Sequence, residues 1–335
     1  MLSTNFNIHG VDVNFISNHK EIFYQVKSEL RHTLVHPVAY KKDKIFYFWA
    51  GNQRTAPSPL KKMITNNPLE AINKQIQTVV DYRTLHAAVL ANSSFNHDEA
   101  LLACVSLIGY LVRFALFRRI EAVGFHTAGV SLKNKAILLP GQSGSGKSTL
   151  SYYFAASGYK ILSDEECLLQ IDNSKVVVYG LARFLRLDED FFQSKEGLTL
   201  KKKMKLRPYE AFGEKGYTID LRFFNPRIFQ RKANLKLICT LVNKCVDEPK
   251  IKLLEHQEAF EFLLDCFEST AINKNNDPMT NFLQKYNEMG FRVCETLVQN
   301  YPIYQLTYNI ETQGPLVPQL IKELFNQTLH SERIT

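Results

Sequence analysis

Residues 141–148 read Gly141-Gln142-Ser143-Gly144-Ser145-Gly146-Lys147-Ser148, which fits the pattern Gly-x-x-x-x-Gly-Lys-Ser. This pattern is typical of loops that bind phosphate groups, because glycines let several backbone N–H groups point at one polyphosphate. Lys147 supplies a cation for the phosphates, and the Ser148 hydroxyl can bind a Mg²⁺ ion on the same oxygens. The residues predicted to bind a nucleotide are Gly141, Ser143, Gly144, Ser145, Gly146, Lys147, Ser148 and Thr149.

The sequence on either side of this loop predicts a strand before it and a helix after it. Residues 136–139 are a short apolar run suited to a buried strand. Residues 148–156 are typical of a helix, which Ser157 and Gly158 end. A helix that starts at the loop adds the positive end of its dipole to the field around the phosphates.

Composition indicates a chain that can bury more than one core. It has 335 residues, of which 45% are hydrophobic and 22% are charged, and its formal net charge is +8. We expect a smaller N-terminal α+β domain at residues 1–118 and a P-loop domain at residues 119–335. The basic residues form no dense arginine run or aromatic–basic repeat, so nucleic-acid binding is not predicted.

The cysteines and the hydropathy pattern indicate in which cellular compartment the protein is expected. The six cysteines have no Cys-x-x-Cys spacing, and residues 1–10 lack the pattern of a signal peptide, so we expect a cytoplasmic protein with reduced thiols. Residues 101–117 are apolar but include Arg113 and are shorter than the roughly 20 residues that a membrane span needs. They predict a buried helix and no membrane span.

Other segments predict secondary structure but contain no predicted catalytic or binding residue. Residues 6–17 and 45–49 are typical of strands, residues 68–82 of a mostly helical region, and residues 201–207 of a basic loop. His86 is interpreted as a partly buried histidine with no catalytic role.

Two adjacent acids follow the helix after the loop. Asp164 and Glu165 lie seventeen and eighteen residues beyond Lys147, directly after a predicted strand at residues 159–163. If that strand lies near the one before the loop, both acids lie at the same edge of the sheet as the phosphates. One carboxylate can then hold Mg²⁺ while the other accepts the proton of an incoming hydroxyl.

Residues 126–165 resemble the catalytic domain of the HPr kinase/phosphorylase family and its peptide-modifying relatives. The resemblance rests on His126 fifteen residues before Gly141, the loop itself, Gly158, and the acidic pair at 164–165. A looser likeness continues through residues 215–220 and 224–241.

The resemblance implies an α/β fold with a P-loop core of the phosphoenolpyruvate-carboxykinase/HPr-kinase type. It implies a kinase that transfers phosphate from ATP to a serine hydroxyl of a protein or peptide, such as a precursor peptide, and that assembles into homo-oligomers. By the same carry-over, Asp164 is the catalytic base, Lys147 binds phosphates, and Ser148 and Glu165 hold Mg²⁺. His126 orients or charge-balances the site.

The chain departs from the family pattern at four positions. Gln142 replaces an acidic residue, Thr149 a glutamate, Glu165 an aspartate, and Lys215 the arginine of a signature motif. The second and third differences weigh against the reverse reaction, phosphorolysis of a phosphoserine. The loop is more like that of the peptide-modifying relatives, which makes the carrier protein HPr an unfavoured substrate.

A cation is also needed to stabilise the charge of the transition state. The candidates are Arg183, Arg186, Lys215, Arg222 and Arg231.

Two alternatives to a protein kinase remain open. Several small-metabolite kinases also have an acid about seventeen residues after the loop lysine, and a non-catalytic nucleotide sensor would keep the loop without needing Asp164. A GTPase is less well supported, because Asn243 and Lys244 begin a guanine-reading Asn-Lys-x-Asp pattern in which Asp247 lies one residue too far.

Overall fold

The computed structural model describes residues 1–31, 44–51, 53–81, 83–173, 175–181, 184–204, 206–269 and 278–331. The chain divides into two compact units: Met1–Arg119 with Tyr209–Lys215, and Ile120–Pro208 with Gly216–Thr335. Helices and strands alternate along both units, and the strands form more than one sheet. The chain is therefore a mixed α/β protein, which confirms the predicted mixture of helix and sheet.

The first unit is built on a six-stranded sheet. Its elements are β1 (Leu2–Ile8), β2 (Val11–Ser17), α1 (Lys20–Glu29), β3 (Lys44–Ala50), α2 (Ser58–Asn66), β4 (Glu70–Ala71), β5 (Ile76–Asp81), β6 (His86–Ala91) and α3 (His97–Ile120). The strand order is β1-β2-β3-β6-β5-β4, with parallel pairing of β2 with β3 and of β3 with β6. Alternate residues of β2 are buried, as expected for a strand with one face on a core.

Helix α3 begins where the sequence provides a cap. The side chain of Asn96 accepts hydrogen bonds from the backbone N–H groups of Asp98 (2.9 Å) and Glu99 (3.2 Å). By length and composition α3 could cross a membrane, but 72% of its most apolar window is buried inside the protein. A buried core helix of a soluble protein has the same properties.

The predicted helix at residues 68–82 is wrong, because this stretch forms β4, a turn and β5. The Asn73 side chain accepts hydrogen bonds from the N–H groups of Gln75 (2.7 Å) and Ile76 (2.8 Å), which closes a turn of the kind that competes with helix. The β-branched residues that follow favour a strand. His86 begins the partner strand β6, and burial lowers its pKa while Asp81 across the hairpin opposes that shift.

The second unit contains most of the helices and strands after α3. Its elements are β7 (Val123–Leu132), β8 (Lys135–Pro140), α4 (Lys147–Ala156), β9 (Lys160–Ser163), β10 (Glu166–Asp172), β11 (Lys175–Gly180), β12 (Leu185–Asp188), α5 (Lys195–Lys203), β13 (Arg207–Ala211), β14 (Glu214–Ile219), β15 (Lys232–Asn243), β16 (Lys250–Leu253), α6 (His256–Cys266), α7 (Pro278–Asn300), β17 (Ile303–Tyr308), α8 (Ile310–Gln313) and α9 (Val317–Ser331). The Tyr209–Lys215 part of β13 and β14 belongs to the first unit.

The main sheet of the second unit has the order β11-β10-β7-β8-β15-β17-β16, and β9 also pairs with β7. Strand β7 runs antiparallel to β8, β9 and β10, whereas β15 runs parallel to both β8 and β17. Strands β8 and β9 therefore run in the same direction on opposite sides of β7. The strand predicted before the loop is confirmed as β8, and it is buried along almost its whole length.

Helix α4 is buried nearly all round and packs in the core of this unit. Gly158 lies in the left-handed region at φ +84° and ends the helix, as the sequence predicts. The N–H groups of Gly158 and Tyr159 donate to the carbonyls of Ala155 (3.1 Å) and Phe154 (3.0 Å), which is the Schellman arrangement.

The basic stretch at residues 201–207 is not wholly a loop as predicted. Lys201, Lys202 and Lys203 form the last turn of α5. Cations in the last turn of a helix are stabilised by the negative end of its dipole, which offsets the repulsion between them.

Gly180 tests how tightly β9 and β11 are packed. A Cβ atom at this position would lie 2.1 Å from the carbonyl oxygen of Leu162 in β9, so Gly180→Ala should destabilise the protein by about 2–3 kcal/mol. Gly158→Ala is the control, since no described atom lies within 4 Å of its Cβ position and only the left-handed backbone opposes it, at about 1 kcal/mol. Urea unfolding midpoints would measure both, and equal losses would contradict the close contact.

Candidate phosphate-binding and catalytic site

The loop between β8 and α4 has the backbone shape that its glycines allow. Gly144 and Gly146 lie in the left-handed region, at φ +78° and +87°. A Cβ atom at Gly141 would lie 2.4 Å from Ser145 Oγ and 3.2 Å from Leu241 Cβ, so a side chain here would displace its neighbours. Gly146 is the residue from which α4 begins, and the positive end of the helix dipole therefore faces the loop.

Lys147 is held inside the loop. Its side chain is only 8% exposed, and Nζ donates hydrogen bonds to the carbonyl oxygens of Gly141 (2.6 Å) and Gln142 (3.1 Å). Burial lowers the pKa of the ammonium group, while the neighbouring Cys266 and Asp164 oppose this shift. A cation bound by two neutral carbonyls can exchange them for the more strongly attracting oxygens of a phosphate.

The hydroxyl groups of the loop differ in their surroundings. Ser145 Oγ is buried and has no hydrogen-bond partner among the described residues. Ser143 is exposed, whereas Ser148 and Thr149 are half-buried in the first turn of α4. A buried hydroxyl without a partner is costly, and an anionic ligand in the loop is a natural acceptor for it.

Strand β7 brings the predicted histidine next to the loop. On one side of β7, Thr127 lies opposite Pro140, the residue before Gly141. On the other side, His126 lies opposite Glu166 at the start of β10. His126 is therefore one residue along β7 from the position that faces the start of the loop.

The predicted acids lie in a break between β9 and β10. Gly129 of β7 lies opposite Ser163, the last residue of β9, and pairing resumes at the first residue of β10. Asp164 and Glu165 therefore lie across β7 from the loop, roughly 10 Å or two strand spacings from its start. The Ser163 hydroxyl shapes the break by accepting weak hydrogen bonds from the N–H groups of Glu165 (3.5 Å) and Glu166 (3.3 Å).

The two acids differ in exposure. Asp164 is 7% exposed, and its negative charge partly offsets the lowering of the Lys147 pKa by burial, whereas Glu165 is half-buried. His126 Nδ1 lies 3.9 Å from Glu268 Oε1, so a further carboxylate faces the histidine from the segment after α6. The edge of the sheet thus collects one buried cation and several carboxylates around the loop.

The predicted transition-state cations have different positions. Arg183 lies outside the described residues. Arg186 is half-buried on β12, and Arg222 makes a bidentate pair with Asp220 (2.7 and 2.6 Å).

The other two predicted cations are Lys215 and Arg231. Lys215 belongs to the segment of the first unit and pairs with Glu210 at 3.1 Å. Arg231 is exposed and immediately precedes β15, which runs parallel to β8, so Arg231 is at the edge of the sheet opposite the loop.

Tyr308 and Asn243 support the loop, and sequence reasoning gave neither residue this role. Tyr308 is fully buried at the end of β17, and its hydroxyl donates to the carbonyl of Ser145 at 2.6 Å. Asn243 ends β15, and its amide donates to the carbonyl of Gly144 at 3.5 Å. Both lie about 100 residues or more beyond the loop in sequence, and no local pattern marks them.

Cys266, the last residue of α6, is a third residue missed by sequence reasoning. Its thiol is close enough to the loop to interact with Lys147 and with the backbone of Gly141. Burial raises the pKa of this thiol to about 11, while Lys147 opposes the shift. The thiol is therefore neutral at physiological pH.

The donor set fits Mg²⁺ bound together with a phosphate. The described residues hold no group of three or more His, Cys, Asp or Glu side chains that could bind a metal by themselves. Mg²⁺ in phosphate sites needs only one or two protein oxygens besides those of the phosphates. Ser148 lies in the first turn of α4, and Glu165 lies in the break between β9 and β10. Both residues are half-buried and carry an oxygen that can bind the ion.

Comparisons with known proteins give a distant likeness among solved structures. No protein-family profile and no curated protein matches the chain. Among solved structures, the Hpr(Ser) kinase/phosphatase from Coxiella burnetii aligns with 62% of this chain and 98% of its own, at 13% identity and a TM-score of 0.34. At these values the likeness is a distant one of fold and assigns no role to any residue.

Tyr308→Phe should weaken nucleotide binding about three- to tenfold while the protein stays folded, because it removes only the hydrogen bond that fixes Ser145. Tyr159→Phe is the matched control. It removes a similar buried hydrogen bond, to the carbonyl of Pro318 at 2.8 Å, from the end of α4 remote from the loop. Titration calorimetry would measure both, and equal affinities for the two variants would contradict the supporting role of Tyr308.

Iodoacetamide should alkylate exposed Cys245 much faster than Cys266 in the folded protein. Only the thiolate reacts, and because the pKa of Cys266 is raised, its thiolate fraction is depleted at pH 8 and grows about tenfold per pH unit below the pKa. Timed labelling at two pH values, followed by peptide mass spectrometry, would test this. Equal rates at Cys245 and Cys266 would show that the thiol at the loop is accessible and ionised.

Proposed function

We propose that this protein is an ATP-dependent kinase with a P-loop core of the phosphoenolpyruvate-carboxykinase/HPr-kinase type, acting on a serine hydroxyl of a protein or peptide. The observation that carries the proposal is the register of β7, which places the loop with buried Lys147 on one side and the break that holds Asp164 on the other. A phosphate-binding cation and a carboxylate at the same edge of one sheet are the two groups that in-line transfer to a hydroxyl requires.

Each residue of the site has a distinct task in this reaction. Lys147 releases the carbonyls of Gly141 and Gln142 and binds the phosphate oxygens of ATP. Asp164 accepts the serine proton while the serine oxygen bonds to the γ-phosphorus. The bond from that phosphorus to the bridging oxygen breaks, and ADP leaves.

The remaining residues act on charge and orientation. Ser148 and Glu165 would hold Mg²⁺, which neutralises the negative charge of the phosphate oxygens when bound. His126 lies beside the acids on β7 and faces Glu268, so it can balance the negative charge that collects at this edge. Among the described candidates, Arg186 is the one that we retain for the transition state.

The proposed acceptor is a protein or peptide, such as a precursor peptide, in the cytoplasm. A net charge of +8 without a dense arginine run fits phosphate chemistry better than nucleic-acid binding. We propose no membrane partner, and assembly into homo-oligomers is part of the proposal.

Asp164→Asn should leave ATP affinity within about threefold of wild type while lowering the transfer rate roughly 10²- to 10⁴-fold, because it removes the base but keeps the shape. Lys147→Ala should abolish both binding and transfer. Asp172→Asn, an exposed acid at the far end of β10, is the matched control and should change neither.

The experiment uses γ-labelled ATP with candidate peptides or cell extract, followed by mass spectrometry of the labelled product. Phosphoserine in a peptide or protein supports the proposal, and label on a small metabolite would replace it with a metabolite kinase. Wild-type turnover by Asp164→Asn would remove the base assignment. Nucleotide binding without any transfer would favour a sensor.

A further inference from the structure

Three parallel strands bring their carboxyl ends to the edge of the sheet that carries the loop. Strands β8, β15 and β17 lie side by side in parallel, with β15 in the middle. Ile238 lies opposite Leu138, so Pro140 is level with Thr240, and β15 continues for three more residues to Asn243. The end of β15 therefore reaches past the end of β8, to the height of the loop.

Asn243 connects the three strand ends. Its Oδ1 accepts a hydrogen bond from the N–H of Ile310 at 3.0 Å, and its Nδ2 donates to the carbonyl of Gly144 at 3.5 Å. Ile310 begins α8 directly after β17. The loop, the end of β15 and the start of α8 thus form one continuous wall on this side of β8.

This wall lies on the opposite side of the loop from the acids. Strand β7 and the break that holds Asp164 and Glu165 are on one side of β8, whereas β15 and β17 are on the other. If the terminal phosphate lies toward Asp164, the rest of a nucleotide lies toward β15 and β17. Crevices outside the carboxyl ends of parallel strands are the usual place for such ligands.

Lys244 directly follows Asn243 and is exposed beside this wall. Its backbone is fixed by a hydrogen bond from its N–H to the carbonyl of Tyr308 at 2.9 Å, while its side chain is exposed. A lysine on a fixed backbone can lay its alkyl chain on the face of an aromatic base, with the ammonium group above the ring. Asp247, three residues after Lys244, is also exposed, but it lies one position beyond the spacing that reads guanine.

We propose that Asn243 and Lys244 form the nucleoside subsite, in which Lys244 packs on the face of an adenine base and Asn243 ties this surface to the phosphate loop. The inference rests on the proposed function only in that the loop binds a triphosphate. It adds to the proposed function that the base is adenine and that Lys244 contacts it.

The test separates the base from the phosphates by comparing ATP with inorganic tripolyphosphate, which has no base. Lys244→Ala should weaken ATP binding roughly five- to twentyfold and leave tripolyphosphate binding within about twofold of wild type. Lys250→Ala, which removes an exposed lysine at the start of β16, is the matched control and should change neither. GTP is measured alongside, and wild type should bind it more weakly than ATP.

Each of the other possible outcomes contradicts one part of the proposal. Unchanged ATP affinity in Lys244→Ala, or an equal loss for ATP and tripolyphosphate, removes Lys244 from the base subsite while the loop stays assigned. Tighter binding of GTP than of ATP overturns the adenine assignment. Failure of wild type to bind either ATP or tripolyphosphate overturns the proposed function itself.

Discussion

The pairing of β7 with strands on both of its sides is the constraint on which the site depends. On one side its register fixes where β8 ends and the loop begins, and on the other it fixes where β9 stops and β10 starts. Register in a buried sheet is strongly specified, since a shift of one residue would turn the buried side chains outward. The spacing between the loop and the break that holds Asp164 is thereby set by backbone hydrogen bonds.

The loop itself is shaped by groups that belong to distant parts of the chain. Tyr308 and Asn243 donate hydrogen bonds to the carbonyls of Ser145 and Gly144. These bonds reach the loop from two different elements, β17 and β15. A ligand therefore meets a loop whose backbone is already ordered, which lowers the entropy that binding must overcome.

The sequence predicted those parts of the site that depend on interactions between residues close together in the chain. Apolar runs and glycines predict the strand, loop and helix around Gly141, and Gly158 predicts the end of α4. The structure contains each of these features. The helix predicted at residues 68–82 was wrong because the Asn73 turn and a β-branched run outweigh a weak helical pattern. Tyr308, Asn243 and Cys266 could not be found in this way, since their roles exist only once the chain has folded.

The break between β9 and β10 also limits how this protein can vary. Ser163 and Glu166 both pair with β7, and the two residues between them fill a gap of fixed width. A deletion or insertion of a single residue there would move Cys167, Leu168 and Leu169 out of register with the core they help to form. A substitution of either acid is therefore compatible with the fold, whereas a change in the number of residues between Ser163 and Glu166 is not.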